Sequence, residues 1–495
     1  MAISFNTIPS DVRVPLFYAE MDNSQASYFT QEQKILLIGQ KLAAGEADTG
    51  EPLLVSRTDD AKQLFGLGSM LARMHESVRF NDSVGEVWCI ALDDDSAGVA
   101  ALGSLEFTGT ATASGTASVY FAGQKVKVGV SVGDTASTIA VTAIAAINAV
   151  DDLPVIATAG AAGVVALAAK WKGETTNDIT VIENYRGNLG GEKTPAGITL
   201  TITAMSGGAT DPDISAAILA MGDDEYDFVI HPYTTTDNLD VLRTEMDDNT
   251  GRWAYSRQIY GHVYSAKRGT LSALQAFGDT RNDQHITIAG FEPSIPTPVW
   301  EYAAAYGSRN AVFLKADVAR PTQTGVLVNV ITPKAGKGFI LNERETLLRN
   351  GIATSYQAGG VARVERAITT YQKNSFDQND TSYLDSETMH TSSTVLRRLR
   401  QSITSGYPRH KLANDGTQFG AGQAIITPLV ARGALISEYQ EMERLGIVEN
   451  ADLFAANLIV ERNETDPNRL DVLFPADYVN QLRVFAVLNQ FRLEY

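Results

Sequence analysis

Phosphate chemistry comes nearest at TPKAGKGF, residues 332–339, where Lys337 follows a glycine as the lysine of a phosphate-binding loop does. That loop requires G-x-x-x-x-G-K-[ST], because the hydroxyl after the lysine holds Mg²⁺. Gly338 stands in its place and has no side chain to offer. A dinucleotide cradle is also incomplete: FGLGSML supplies Gly66 and Gly68 without a third glycine, and only Gly39 precedes QKLAAG. Metal chemistry needs histidines, cysteines or carboxylates at ligand spacing. The six histidines stand singly, and His75–Glu76 leads to no H-E-x-x-H pattern. No G-x-S-x-G elbow exposes a serine. Asp93, Asp94 and Asp95 could in principle hold a cation, yet the glycine and distal glutamate of a calcium loop are missing. Asp223–Asp224 and Asp247–Asp248 fall at helix ends or turns, where solvated surface is the plain reading. The single cysteine, Cys89, lies in the apolar run EVWCIAL and reads as a small core hydrophobe rather than a nucleophile. No catalytic, cofactor-binding or metal-ligating residue is nominated, and the chain is read as not an enzyme.

Composition bounds the partners. Forty basic against 58 acidic residues give a net charge of −18, which opposes sequence-independent binding to nucleic acid. One local exception is VLRRLRQSITSGYPRHK, which gathers Arg397, Arg398, Arg400, Arg409 and Lys411. Two readings stand for it: a docking face for an acidic protein partner or sister subunit, and a solvated helix face. No run of about 18 apolar residues occurs, so no membrane insertion is expected. The N-terminus lacks the pattern of a signal peptide, and one cysteine excludes an internal disulfide framework, so an intracellular, reduced setting is expected.

The elements that would position side chains fall into three regimes. In residues 25–100 and 213–335, apolar strands such as KILLIGQ, EVWCIAL, YDFVIHP, QIYGHVYS and HITIAGF alternate with helices. Ser56 and Asp59 are spaced as a capping box, and Asp213 can cap a helix carrying Ile214, Ala217, Ile218 and Met221. Alternating strands and helices predict an α/β domain with a largely parallel sheet. Residues 101–212 break the pattern, because Ala, Gly and Thr supply nearly half the positions and charges thin out. ASVYFAGQKVKVGVSVG and GITLTITAMSGG read as strands joined by glycine turns, with a helix at Ile139, Ala143 and Ile147 between them. This reads as a β-rich module inserted into the α/β domain; a low-complexity linker is the alternative. From 336 to 480 a C-terminal α+β domain is predicted. IATSYQAGGVARVERAITTYQ is a hairpin, Asp385 opens a helix, and Thr427, Pro428 and Gly446 punctuate another. ANLIVER and RLDVLF form a second hairpin about TDPN.

Both ends read as extended strands. Ile3, Phe5 and Thr7, then Val12, Val14 and Leu16, alternate within an N-terminal arm of residues 1–24 interrupted by Pro9 and Pro15. Phe491, Leu493 and Tyr495 alternate in a C-terminal strand arm of residues 481–495. An unblunted terminal strand is a template for pairing with another chain. The fold class expected is therefore α/β and α+β multidomain with two strand arms.

The segments IPSDVRVPLFYAEMD, RWAYSRQIYGHVYSAKRG, TSYLDSETMHTSSTVLRRLRQSI and FAVLNQFRLEY, in that order along the chain, resemble the contractile-tail sheath proteins of bacteriophages, and most closely those of Mu-like phages. The resemblance implies a structural subunit that polymerises as stacked hexameric rings around an inner tail tube. It implies contraction that drives the tube through the host cell envelope for genome ejection, without nucleotide hydrolysis. It also implies arms that leave their own subunit and complete a sheet in neighbours. The implied setting is the virion tail, assembled in the host cytoplasm. The implied partners are the chain itself, the tube protein, and baseplate and tail-terminator proteins, with no direct nucleic-acid contact. Residues 101–212 would face outward and the C-terminal domain inward to the tube. The reading from a different class is an α/β enzyme, a hydrolase or nucleotide-dependent transferase, with a β-rich accessory module.

Overall fold

Ile35–Gln40 (β1) is apolar on both faces, and all six of its residues are buried. A continuous run of this kind suits a parallel strand covered by helices on either side. The computed structural model describes residues 33–420 and 422–494; the N-terminal arm expected at 1–24 lies outside the described residues. After β1 come β2 (Pro52–Leu54), α1 (Thr58–Phe65), α2 (Met70–Asn81) and β3 (Val87–Leu92). Next follow β4 (Leu102–Gly109), β5 (Gly115–Phe121), β6 (Gln124–Val130), α3 (Ala136–Asn148), β7 (Val155–Ala159), β8 (Val164–Ala169), β9 (Val181–Glu183) and β10 (Ile198–Ser206). The chain then runs through α4 (Ser215–Met221), β11 (Phe228–Ile230), α5 (Thr236–Met246), β12 (His262–Arg268), α6 (Leu271–Gly278), β13 (Ile286–Phe291) and α7 (Val299–Ala316).

These segments form a six-stranded sheet in the order β13-β12-β11-β1-β3-β2, parallel except for the short edge strand β2. Between β3 and β11 the chain builds two more sheets, β10-β4-β8-β7 and β6-β5-β9, with antiparallel pairing throughout and α3 packed against β4, β6, β7 and β8. Helices α2 and α7 pack on each other and on the central sheet. In α7, Trp300, Tyr302 and Tyr306 are fully buried, and Gly307 brings the helix against Ile230 and Tyr264.

Beyond α7 stand α8 (Leu341–Arg349) and a hairpin of β14 (Thr354–Ala358) and β15 (Val361–Arg366), turned by Gly359 and Gly360 at positive φ. Then come α9 (Ser386–Gly406), the two-residue strands β16 (Lys411–Leu412) and β17 (Ile425–Ile426), α10 (Pro428–Arg444), α11 (Ala451–Asn457), and a hairpin of β18 (Ile459–Arg462) and β19 (Leu470–Leu473). The main core runs through the central sheet, the 102–206 sheets and β15. A second core of Val318, Val395, Leu435, Tyr439, Met442, Ile447, Val448, Ala451, Phe454 and Leu458 holds the C-terminal helices. α9 spans both. Its first turns carry His390, which stacks on Phe228 and hydrogen-bonds the Tyr264 hydroxyl at 3.0 Å, while Val395 and Leu399 enter the second core.

Several local expectations change. α1 begins at Thr58 with Arg57 as N-cap and no side-chain cap, so Ser56 and Asp59 form no capping box. Asp213 accepts from the amide of Ser215, but Ile214 is the residue at the cap. Asp385 stands at the N-cap of α9 without a side-chain cap bond, because its carboxylate is turned to arginines. Thr427, Pro428 and Gly446 punctuate α10 as their types predict; the Thr427 hydroxyl accepts from the Val430 amide. The C-terminal segment is not a paired strand within the chain: among the described residues, none from 479 to 494 belongs to a ladder.

Candidate assembly site

An open α/β sheet binds ligands in the crevice at the carboxyl ends of its strands, where the chain order reverses. Here that point lies between β1 and β11. It is filled from within. Gln40 at the end of β1 is fully buried; its amide donates to Asp94 and to the Lys172 carbonyl at 2.7 Å, and its oxygen accepts from Tyr233 at 3.4 Å. Lys337 lies on an exposed turn, where its amide donates to Lys334 rather than lining a strand-to-helix cradle. The three aspartates after β3 face different partners: Asp93 meets Lys41 and Thr49, Asp94 meets Gln40, and Asp95 accepts from the Ala97 amide. Among the described residues no group of three His, Cys, Asp or Glu is placed to hold a metal ion. Cys89 is fully buried, and burial pushes its thiol well above the ordinary range.

The cationic stretch on α9 is not a free docking face. Arg397 donates to Glu225 at 2.7 and 2.9 Å and pairs with Asp227 at 2.7 Å. Burial pulls its pKa down, but the two carboxylates outweigh burial and hold it above the ordinary value. Arg398 meets Glu438 at 2.7 Å, and Arg400 reaches the Gln258 carbonyl. Only Arg409 and Lys411 of the five are exposed outside the helix, and Lys411 bonds Gln423. Each arginine partner lies 40 to 172 residues away in sequence, a distance at which no local spacing signals the pair.

What remains bare is the C-terminal segment. Its root is fixed: Val448 and Tyr478 make an isolated antiparallel bridge, and Val479 donates to the Ile447 carbonyl. The Gln481 amide donates to Ala319, and Gln323 donates to the Leu482 carbonyl, each at 3.2 Å. Arg483 pairs with Asp385 and with fully buried Glu387, both at 3.0 Å. Glu387 also accepts from the Thr322 amide and hydroxyl, and Asp385 from Arg366. Beyond Arg483 no hydrogen bond or ion pair to another described residue anchors the segment. Val484, Phe485, Val487, Leu488, Phe491 and Leu493 are 71% to 92% exposed, so the segment is bare on both faces rather than half-buried as its alternation predicts. Among the described residues β18 and β19 pair only with each other, and Ile459, Val472 and Leu473 on them are about half exposed. An uncovered apolar strip, like an unpaired strand edge, is chemistry for taking up another chain.

The sequence matches known proteins along its length. A model of the phage tail sheath protein central domain matches residues 207–370, and one of the phage tail sheath C-terminal domain matches residues 378–492. The chain is 41% identical over 496 residues to the Mu-like prophage FluMu tail sheath protein of Haemophilus influenzae, with 100% of each covered. Among solved structures, a sheath tail protein of Desulfitobacterium hafniense aligns at 10% identity and a TM-score of 0.49, covering 95% of this chain and 97% of that one. The helical sheath of the anti-feeding prophage in its contracted state aligns at 9% identity and a TM-score of 0.45, covering 98% and 100%. The matched domains define a structural protein of a virion tail. The chain belongs to the phage tail sheath family, the sheath proteins of contractile tails.

Proposed function

We propose that this sheath subunit polymerises as stacked hexameric rings around an inner tail tube. The polymer contracts to drive the tube through the host envelope for genome ejection. Assembly takes place in the host cytoplasm, with the tube, baseplate and tail-terminator proteins as partners. The reading divides the chain into an N-terminal arm at 1–24, an α/β domain at 25–100 and 213–335, and an outward module at 101–212. An inner, tube-facing domain at 336–480 and a C-terminal connector at 481–495 complete it.

One observation carries the reading: the apolar segment after Arg483 leaves the subunit uncovered. A strand added to a neighbour's sheet gains main-chain hydrogen bonds, and alternate side chains set its register. Each large side chain buried this way contributes about 1.5–3 kcal/mol. Deleting residues 486–495 is expected to abolish polymerisation, followed by sedimentation and negative-stain microscopy, while the circular-dichroism melt of the monomer stays within a degree or two. A destabilised monomer that still forms tubes would place the segment in its own subunit and sink the connector reading. The same proposal holds that nothing is hydrolysed. The pure protein is expected to release no phosphate from ATP or GTP, and turnover lost in a Lys337→Ala variant would overturn that.

A further inference from the structure

Helix α9 holds the roots of both chain ends. At its first turn, Asp385 and Glu387 grip Arg483, the last anchored residue before the bare segment. Glu387 is fully buried, and the Thr322 amide and hydroxyl hold it at 3.0 and 2.9 Å. Ten residues further on, about 15 Å along a helix, Arg397 pairs with Asp227 at 2.7 Å. The other oxygen of Asp227 accepts from the amide of Lys34 at 2.9 Å, and the amides of Asp227 and Phe228 both donate to the Lys34 carbonyl. Lys34 is the residue to which residues 1–33 are joined. Part of a pull on either end therefore enters α9 through a guanidinium–carboxylate contact, and an α-helix carries axial load through its own hydrogen bonds.

We infer that α9 is a strut joining the two connectors, with Arg397–Asp227 and Arg483–Glu387 as the positioning pairs at its ends. Tension between neighbours divides at Lys34 between this helix and the β1–β11 ladder, whose first rung is the Phe228 amide on the Lys34 carbonyl, and spares the sheets built between β3 and β11. Charge-assisted contacts suit the task, since each arginine is held by two carboxylates, Arg397 by Asp227 and Glu225 and Arg483 by Asp385 and Glu387. The inference rests on the connector reading of the two ends, but its test is made on the monomer.

The full chain would be held by handles in the two terminal segments and pulled in an optical trap. The rupture force is expected to drop at least twofold in Arg397→Met and in Arg483→Met. It should stay unchanged in Arg73→Met, which removes a buried partner of Glu301 away from this path. Thermal melts would be recorded alongside, so that force is compared between variants of similar melting temperature. Equal losses of force on and off the path would overturn the strut. Where a Met variant fails to fold, Arg397→Lys and Arg483→Lys keep the charge but not the paired donors; unchanged force in both would also overturn it. Tubes that still form after deletion of 486–495 would remove the connectors and leave the force measurement standing on its own.

Discussion

His231 is fully buried at the end of β11, and neither ring nitrogen has a hydrogen-bond partner among the described residues. Burial lowers its pKa from 6.5 to about 3, and lowers those of His390 to about 3 and His75 to about 4. The unfolded chain takes up protons below pH 6.5 that the folded chain refuses, so this contribution to stability is complete above pH 6.5 and is lost as pH falls towards 3. Each such histidine adds a slope of about 1.4 kcal/mol per pH unit in that window. Buried carboxyls pull the other way; Asp211, raised by burial to about 6, gains stability on acidification. A difference between variants isolates the histidine. His231→Phe is expected to flatten the fall in melting temperature between pH 6.5 and 4.5 relative to the parent chain, measured by circular dichroism. Parallel curves would show that His231 is not held neutral. Nothing in the sequence around this residue marks it as buried and unpartnered, because the same "VIHP" would suit a solvated strand end.

At the scale of elements, α7 is fixed by a missing side chain. A Cβ on Gly307 would meet Ile230 at 2.7 and 2.8 Å and the Cβ of Tyr264 at 3.1 Å. Alanine is the better helix former by about 1 kcal/mol, but overpacking a filled interface costs about 1–3 kcal/mol. Gly307→Ala is therefore expected to lower the melting temperature, and a rise would mean that the helix has room to shift. Elements with strong punctuation or long apolar runs were legible before any coordinates: β1, β3, β13 and α10 stand where KILLIGQ, EVWCIAL, HITIAGF and the Thr427–Pro428 start place them. The strands β4, β7 and β8 were not, since Ala, Gly and Thr carry little alternation in hydropathy and their pairing is set by partners up to about a hundred residues away. Asp385 stands at the start of α9 without a cap bond for a related reason: a carboxylate that finds a guanidinium leaves the helix amides to other acceptors. The bare segment was half legible. Its alternation predicts a strand, and only the fold shows that no strand among the described residues receives it.

At the scale of the molecule, the segment between β3 and β11 is riveted to the central sheet. Asp178 is paired with Arg268 of β12 and accepts from the first amide of α7, and Trp171 meets Trp300 edge-on at 5.1 Å. Among the described residues the terminus after Arg483 has no such fastening, so brief chymotrypsin treatment of the monomer is expected to cut at Phe485, Leu488 or Phe491 and leave the rest whole. Mass spectrometry would read the products, and assembled tubes should resist the same cut. Early cleavage between residues 100 and 212 would contradict the riveting. The hairpin of β18 and β19 has a further consequence. Its strands are four residues each and carry Glu461, Arg462 and Asp471, so either edge offers a stray peptide only a brief hold. On the connector reading, a chain already captured by one neighbour would meet a second hairpin at millimolar effective concentration, whereas two free subunits, each at −18, repel. If subunits join as proposed and this hairpin receives the connector, growth is expected to have a threshold: lone pairs dissolve, and lengthening runs fast once a ring presents adjoining hairpins to an incoming subunit.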